Sequence, residues 1–237
     1  LVRSYGNRYY YKPIIKGKLE YPGPITVHWW RKTQSLTKKP VKGMLTGPYT
    51  IMDWSFNEYY ADRAAASYAL AELIRREVAE LIKAGCKIVQ IDEPAISVRP
   101  EELEIARKAL AIVTDGQEAY FITHICYGSF EKIYPAMLEL PVHNIDLEMS
   151  NSDLDMLEYF KRYPFTKDIT FGVVDVHSHK IEDVDLIKAR IEQALKYLPK
   201  EAVWIDPDCG LKTRTVDEAK KKLDNIREAV AAVRAGL

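Results

Sequence analysis

The sequence has 237 residues, of which 47% are hydrophobic. That is enough apolar material for a substantial core, and it excludes an intrinsically disordered chain. The 34 basic and 34 acidic side chains give a formal net charge of zero, which argues against a dedicated nucleic-acid-binding protein. No apolar run approaches the roughly 20 residues of a membrane-spanning helix, and no signal peptide is recognisable. We therefore expect no membrane partner either.

Short runs of apolar and β-branched residues recur along the chain, each bounded by Gly, Pro, Asp or Ser. Such runs are typical of strands that are buried on both faces. Six of them predict strands over residues 41–45, 87–91, 120–125, 144–149, 169–174 and 202–205. Residues 1–5 are a further candidate, which would raise the number of strands to seven.

Longer amphipathic stretches separate these runs. The spacing of their apolar residues predicts helices over 60–83, from Pro100 through Ile112, over 130–138, 154–160 and 184–198, and from Thr215 onward. Gly85 is a suitable stop after the first of them. Thr215 and Glu218 have the spacing of a capping box at the start of the last.

The alternation of strands and helices predicts βαβ units and a parallel sheet. We expect an α/β fold of the (β/α)8 TIM-barrel type, for which about 250 residues is usual, folded as a single domain over residues 1–237. Seven strands are one fewer than this barrel needs. Because the sequence also begins at Leu1 rather than at Met, we expect the domain to be N-terminally incomplete and its first strand to be missing.

Residues capable of acid–base or metal chemistry follow five successive predicted strands. Barrels of this kind keep their active sites at the carboxyl ends of their strands, so the recurrence predicts an active site at that end. The residues are Asp92 with Glu93, His124 with Cys126, Glu148, His177, and Asp208 with Cys209.

His124 and Cys126 are two residues apart, so on an extended strand both side chains point to the same face. They form a potential pair of metal ligands, although most His-x-Cys pairs of this kind are simply a buried cysteine beside a histidine in the core. Cys209 and Glu148 hold equivalent positions at other strand ends, and this set of donors suits Zn²⁺. Cys86 starts a strand at the opposite end and is expected in the core. Three cysteines cannot form a disulfide framework, which favours a reducing, cytoplasmic location.

A second pair of potential metal ligands is His177 and His179. Their His-x-His spacing is similar to the metal-binding strand end of amidohydrolase barrels, but it comes late in the chain and without the carboxylate and Lys residues of such a site. His177 alone is a candidate acid–base residue, because the ordinary pKa of a histidine lies near neutrality.

Two further features lie at strand ends. Pro94 restricts Glu93 to extended backbone, so the side chains of Asp92 and Glu93 point to opposite sides. We expect Asp92 to face the barrel axis and Glu93 to be structural. Trp54 follows another strand end, where its ring could stack on a planar cofactor or simply cover the barrel rim.

Taken together, these segments resemble the C-terminal catalytic barrel of cobalamin-independent methionine synthase over nearly the whole chain. The run from Asp206 to Arg214 and the His124-Ile125-Cys126-Tyr127 run are the most specific parts. The other matching segments are residues 2–6, 41–48, 54–56, 90–95, 152–153 and 175–178. The fold implied is a TIM-type barrel of the methionine synthase and uroporphyrinogen decarboxylase kind.

The resemblance also implies roles for individual residues. The family's zinc ligands map to His124, Cys126, Glu148 and Cys209. Asp92 matches the residue that binds the amino group of homocysteine, and His177 matches the proposed proton donor to the folate nitrogen. The positions that would contact folate are Arg8, Tyr9 and Trp54.

The implied activity is a zinc-dependent methyl transfer from methyl-tetrahydrofolate or a methylcorrinoid to the thiol of L-homocysteine, which forms L-methionine. The chain is most like an archaeal-type short form, because it carries no N-terminal folate-binding barrel and Val98 stands where the long form has a folate-contacting Glu. A methylcorrinoid, delivered by a corrinoid protein, is therefore an alternative donor.

The family's homocysteine-binding Ile-Gly-Ser segment is not in this sequence. We therefore expect activity to depend on a missing N-terminal barrel segment or a partner chain. Two other functions stay open: methyl transfer to a different thiol, and hydrolysis at a metal held by His177 and His179.

Overall fold

The computed structural model describes residues 2–3, 9–126, 130–150 and 156–237. The chain divides into two compact units, Leu1–His143 and Asn144–Leu237. The strands are β1 (Val2–Arg3), β2 (Tyr9–Tyr10), β3 (Ile14–Ile15), β4 (Gly43–Thr46), β5 (Phe56–Asn57), β6 (Ile88–Asp92), β7 (Tyr120–Ile125), β8 (Asn144–Leu147), β9 (Asp168–Gly172) and β10 (Val203–Asp206). The helices are α1 (Val27–Gln34), α2 (Pro48–Asp53), α3 (Arg63–Lys83), α4 (Ala95–Val98), α5 (Leu103–Thr114), α6 (Met156–Arg162), α7 (Val184–Ala194) and α8 (Val216–Ala235).

The first unit is built on three parallel strands, with β6 pairing to β4 on one side and to β7 on the other. Helix α3 follows β4 in the chain and α5 follows β6, so both connections are the helical crossovers that parallel strands require. Helix α3 begins where the side chain of Asp62 accepts a hydrogen bond from Ala65 N at 2.7 Å. It ends before Gly85, whose φ of +105° lies in the left-handed region that glycine tolerates.

The second unit repeats the arrangement, with β9 pairing in parallel to β8 and to β10. Helix α8 begins with the capping box that the sequence predicts, since Thr215 and Glu218 each bond to the other's backbone. Inside this unit Lys222 is completely buried and pairs with Glu182 at 2.7 Å.

The six predicted strands are all present, and the α/β class is confirmed. The further strand predicted from residues 1–5 is present at Val2–Arg3, but it pairs antiparallel with Tyr9–Tyr10 and does not join the parallel strands; Leu1, Ser4 and Tyr5 lie outside the described residues. The helix predicted over 130–138 is instead two short 3₁₀ segments, Phe130–Lys132 and Ala136–Glu139. Pro135 explains the break, since it has no N–H and restricts the residue before it.

Among the residues that the structure describes, no helix combines the length and the apolar character that crossing a membrane requires.

Candidate active site

Asp92 and His124 lie side by side at the carboxyl ends of β6 and β7. The parallel register pairs these two residues directly, and neighbouring strands are about 4.8 Å apart. Cys126 is two residues beyond His124, just past the end of β7, and its Sγ lies within 4.8 Å of a ring nitrogen of His124. His124 is 6% exposed and Cys126 is 4% exposed. The first unit thus places one carboxylate, one imidazole and one thiol on a common, largely dry face.

Glu93 occupies the opposite face of the same strand. Its carboxyl group is fully buried and accepts hydrogen bonds from Tyr49 N at 3.0 Å, from Thr50 N at 2.8 Å and from Thr50 Oγ1 at 2.6 Å. These donors are at the start of α2. The first backbone N–H groups of a helix have no hydrogen-bond partner within the helix, so they favour a carboxylate at that position. The contacts agree with the structural role expected for Glu93.

Gly47 makes room for this carboxyl group. A Cβ at position 47 would lie 2.2 Å from the Glu93 carboxyl carbon, so even alanine would displace the side chain that anchors α2.

Burial raises the pKa of Glu93 to about 7, although its hydrogen bonds from Thr50 and Tyr49 act in the opposite direction. Because the folded-state pKa lies above the unfolded value of 4.5, the unfolded state loses its proton first as the pH rises. The free energy of unfolding is therefore expected to fall between pH 4.5 and 7, by about 1–3 kcal/mol. Urea denaturation of the wild type and of Glu93→Gln at pH 5 and pH 8 measures this, and the variant should show the smaller fall. An equal fall in the free energy of unfolding in both proteins would contradict the raised pKa of Glu93.

In the second unit, Glu148 and His177 are brought together. Glu148 directly follows β8 and is 9% exposed, and its Oε1 lies 3.4 Å from Nε2 of His177. The backbone N–H of His177 donates to Asp175 Oδ1 at 2.7 Å, and its ring is 38% exposed. A half-exposed imidazole beside a carboxylate can hold a proton and reach a substrate.

Asp208, next to Cys209, ties the end of β10 to the segment that follows β8. Its Oδ1 accepts from Met149 N at 3.2 Å and from Ser150 N at 3.0 Å, and its Oδ2 accepts from the Ser150 hydroxyl. Burial raises the pKa of Asp208 to about 7, against the lowering effect of the Ser150 hydrogen bonds. Cys209 is half-buried, and this anchored neighbour fixes its backbone.

The Asp208 anchor depends on Gly172 at the end of β9. A Cβ there would lie 2.4 Å from Asp208 Oδ1 and 2.9 Å from Asp208 Cα. Gly172→Ala is therefore expected to lower the free energy of unfolding by about 1–3 kcal/mol, because the backbone of residue 208 has to move. Gly17→Ala is the matched control, since no atom lies within 4 Å of a Cβ at position 17. Urea denaturation compares them, and equal stabilities would argue against the anchor.

The His177 and His179 pair does not form a joint metal clip. The ring of His179 is 74% exposed, and its Nδ1 lies 2.8 Å from Glu218 Oε1 in the capping box of α8. His177 faces Glu148 instead. Since the two rings have separate carboxylate partners, the structure does not favour the hydrolase alternative.

The positions predicted to contact a folate are described only in part. Trp54 ends helix α2, half-buried, with the ring of Tyr10 centred 6.0 Å from its own. Tyr9 is 67% exposed, and Arg8 lies outside the described residues. Tyr10, rather than Tyr9, therefore packs against Trp54.

Sequence reasoning overlooked Gln90 and Lys42. Gln90 Nε2 donates to Asp92 Oδ1 at 2.8 Å, and Lys42 Nζ donates to Gln90 Oε1 at 2.6 Å. A signal for Gln90 was present, because a residue two before Asp92 on a strand shares its face. Lys42 is 48 residues distant in the chain, and no local pattern indicates it.

Comparison with known proteins shows similarity along almost the whole chain. The family described as cobalamin-independent synthase, catalytic domain, matches residues 1–232. The 5-methyltetrahydropteroyltriglutamate–homocysteine methyltransferase of Buchnera aphidicola subsp. Baizongia pistaciae is 40% identical over 243 residues, which cover 98% of this chain and 32% of that protein. The protein of the same name from Acidithiobacillus ferrooxidans is 41% identical over 246 residues, with 99% and 31% covered. The chain thus spans about a third of the length of these relatives.

Solved structures show the same fold. The B12-independent methionine synthase from Shewanella sp. W3-18-1, in complex with selenomethionine, has a TM-score of 0.86 and 24% identity, covering 94% of this chain and 70% of that one. A methyltransferase from Methanosarcina mazei has a TM-score of 0.67 and 16% identity, covering 89% and 63%. The predicted fold, an α/β barrel of the TIM type, is confirmed.

Proposed function

Because the chain belongs to the cobalamin-independent methionine synthase family and matches its catalytic domain, we propose that it transfers a methyl group to the thiol of L-homocysteine and forms L-methionine. The proposed donor is 5-methyltetrahydropteroyltriglutamate, the compound in the printed names of the two relatives about 40% identical to this chain. Those names lend no support to a methylcorrinoid or a corrinoid protein as donor.

The observation that carries the proposal is the register of β6 and β7. It puts Asp92 directly opposite His124 on the neighbouring strand, and Sγ of Cys126 lies within 4.8 Å of a ring nitrogen of His124. In homocysteine the amino group and the sulfur are separated by three carbon atoms. A substrate whose ammonium group binds Asp92 therefore has its sulfur within reach of the two potential metal ligands.

We further propose that Zn²⁺ is held by four residues. The donor set fits this ion, because thiolate and imidazole are its preferred ligands and carboxylate is compatible with it. Low exposure also fits, at 6% for His124, 4% for Cys126 and 9% for Glu148. Bound zinc would lower the pKa of the substrate thiol, so that it is a thiolate at neutral pH. The proposed ligands are His124, Cys126, Glu148 and Cys209.

Side chains of the protein are proposed to bind the substrate and to supply the proton. Asp92 binds the substrate ammonium ion and orients the sulfur for in-line attack on the methyl carbon. As the carbon–nitrogen bond of the donor breaks, its electron pair stays on the folate nitrogen. His177 donates the proton that this nitrogen needs, and the contact with Glu148 orients its ring.

On the donor side, Trp54 is proposed to stack on the planar pterin ring, with Arg8 and Tyr9 as further contacts. The support is the position of Trp54 at the end of α2, half-buried and backed by the ring of Tyr10. An aromatic ring held by a neighbour loses little conformational freedom on binding a flat ligand.

A methyl-transfer assay on the full-length, zinc-loaded protein tests the function. L-homocysteine is held at a fixed concentration, and methyltetrahydropteroyltriglutamate is compared with methylcobalamin. We expect methionine with the folate donor, and failure with both donors would contradict the proposal.

His177→Gln tests the assigned proton donor in the same assay. It should lower kcat about 10²- to 10⁴-fold with little change in the KM for homocysteine. His179→Gln is the matched control, because its ring contacts Glu218 instead, and its activity should stay near that of the wild type. Loss of bound metal in His179→Gln would favour the hydrolase alternative.

A further inference from the structure

A chain of three polar side chains leads to Asp92 inside the first unit. Lys42, just before β4, donates from Nζ to Gln90 Oε1 at 2.6 Å. Gln90, in β6, donates from Nε2 to Asp92 Oδ1 at 2.8 Å. Gln90 and Asp92 are two residues apart on one strand and so share the face on which His124 lies.

The direction of these hydrogen bonds is determined by chemistry. A lysine ammonium group has three donors and no acceptor, so only the amide oxygen of Gln90 can face it. The amide nitrogen must then point the other way, towards Asp92. An ionised carboxylate only accepts, which makes the same orientation favourable at the second contact. Lys42 therefore fixes the amide of Gln90 in the orientation that donates to Asp92.

Because Gln90 is buried, its side-chain amide depends on these two hydrogen-bond partners. Gln90 is 3% exposed, so its amide has little water available in place of these partners, and a buried polar group left without one is costly. Loss of Lys42 would remove one of the two contacts that fix the orientation of this amide, and loss of Gln90 would remove the hydrogen bond that holds Oδ1 of Asp92.

We propose that Gln90 and Lys42 are positioning residues that make the site selective for thiols carrying an α-amino group. By holding Oδ1, Gln90 keeps Oδ2 of Asp92 directed towards the substrate ammonium ion. Neither residue contacts the reacting atoms. The inference rests on the proposed function only for the identity of the ammonium-bearing substrate.

Binding measurements with two thiols test this selectivity. Isothermal titration of the zinc-loaded full-length protein compares L-homocysteine with 4-mercaptobutanoate, which lacks only the amino group. In the wild type homocysteine should bind more tightly. In Gln90→Leu its Kd should rise about tenfold or more, the effect of losing one charge-assisted hydrogen bond, while the Kd of 4-mercaptobutanoate stays the same. Lys42→Met should act in the same direction, and Lys42→Arg, which keeps the donor, should retain selectivity.

Lys87→Met is the matched control, since Lys87 is exposed and immediately precedes β6; both Kd values should remain unchanged. Equal weakening of both thiols in Gln90→Leu would indicate a packing defect and overturn the inference, as would a wild type that binds both thiols equally.

A second readout follows the hydrogen bonds themselves. The side-chain amide resonance of Gln90, assigned by its loss in Gln90→Leu, should shift in both Lys42→Met and Asp92→Asn. An unchanged resonance would also overturn the inference. A wild type that discriminates between the thiols but transfers no methyl group would contradict the proposed function alone.

Discussion

Replacing Cys126 with serine is expected to abolish zinc binding and, with it, methyl transfer. A serine hydroxyl stays protonated at neutral pH and is a poor zinc ligand, whereas a cysteine binds the metal as a thiolate. Zinc content after dialysis against a chelator, measured by atomic emission, should fall from about one per chain to below about 0.1. The change removes no heavy atom and only replaces sulfur by a smaller oxygen, so the protein should still fold with this substitution at a position that is 4% exposed.

Cys86→Ser is the control for this experiment. Cys86 is 2% exposed, and its Sγ lies 3.1 Å from Ile88 O, at the end of β6 opposite to Asp92. Cys86 is a cysteine buried to a similar extent as Cys126, but it is not a proposed metal ligand, so the Cys86→Ser variant should keep its zinc. If both variants retained zinc, the proposed ligand set would be wrong.

Lys222→Met is expected to cause the largest loss of stability, about 3–5 kcal/mol. The Lys222 ammonium group is fully buried and bonds to Glu182 Oε2 at 2.7 Å, to Asp175 O at 2.9 Å and to Lys180 O. Methionine fills the space but leaves the carboxylate of Glu182, itself 5% exposed, without its counter-ion. Urea denaturation measures the loss.

The exposed pair of Lys188 and Glu192, 3.6 Å apart on α7, supplies the comparison. Lys188→Met should change stability by less than about 1 kcal/mol, since solvent screens such pairs. The double variant Lys222→Met with Glu182→Gln should recover part of the loss, because it removes the isolated charge. A Lys222→Met protein as stable as Lys188→Met would show that the buried pair contributes nothing.

Local patterns were sufficient for the six parallel strands and for the long helices, but not for the two-residue strands β2, β3 and β5. The strand runs are short, apolar and β-branched, and α3 and α8 have clear apolar faces and capping residues. Helix α2 was not predicted, because six residues are too few to show a helical period. Its start is held by Glu93, which is more than 40 residues distant in the chain, and only the folded register brings the two together.

The residues of the site also divide into those that a local sequence pattern predicts and those whose partners depend on the folded register. Alternation along a strand separates Asp92 from Glu93 and groups His124 with Cys126, and this needs no tertiary information. The partners of His179 and Gln90 depend on which strand or helix lies opposite. Spacing made His177 and His179 look equivalent, yet Glu218 of α8 binds one ring and Glu148 lies beside the other.

The peptide bond between Asp92 and Glu93 has a consequence for how two substrates meet. Asp92 is the proposed site for the amino acid, while Glu93 anchors the start of the helix that ends at Trp54, the proposed platform for the methyl donor. Consecutive Cα atoms are about 3.8 Å apart whatever the surroundings. The proposed acceptor site and the helix that carries the proposed donor platform are thus attached to adjacent residues at the end of one strand.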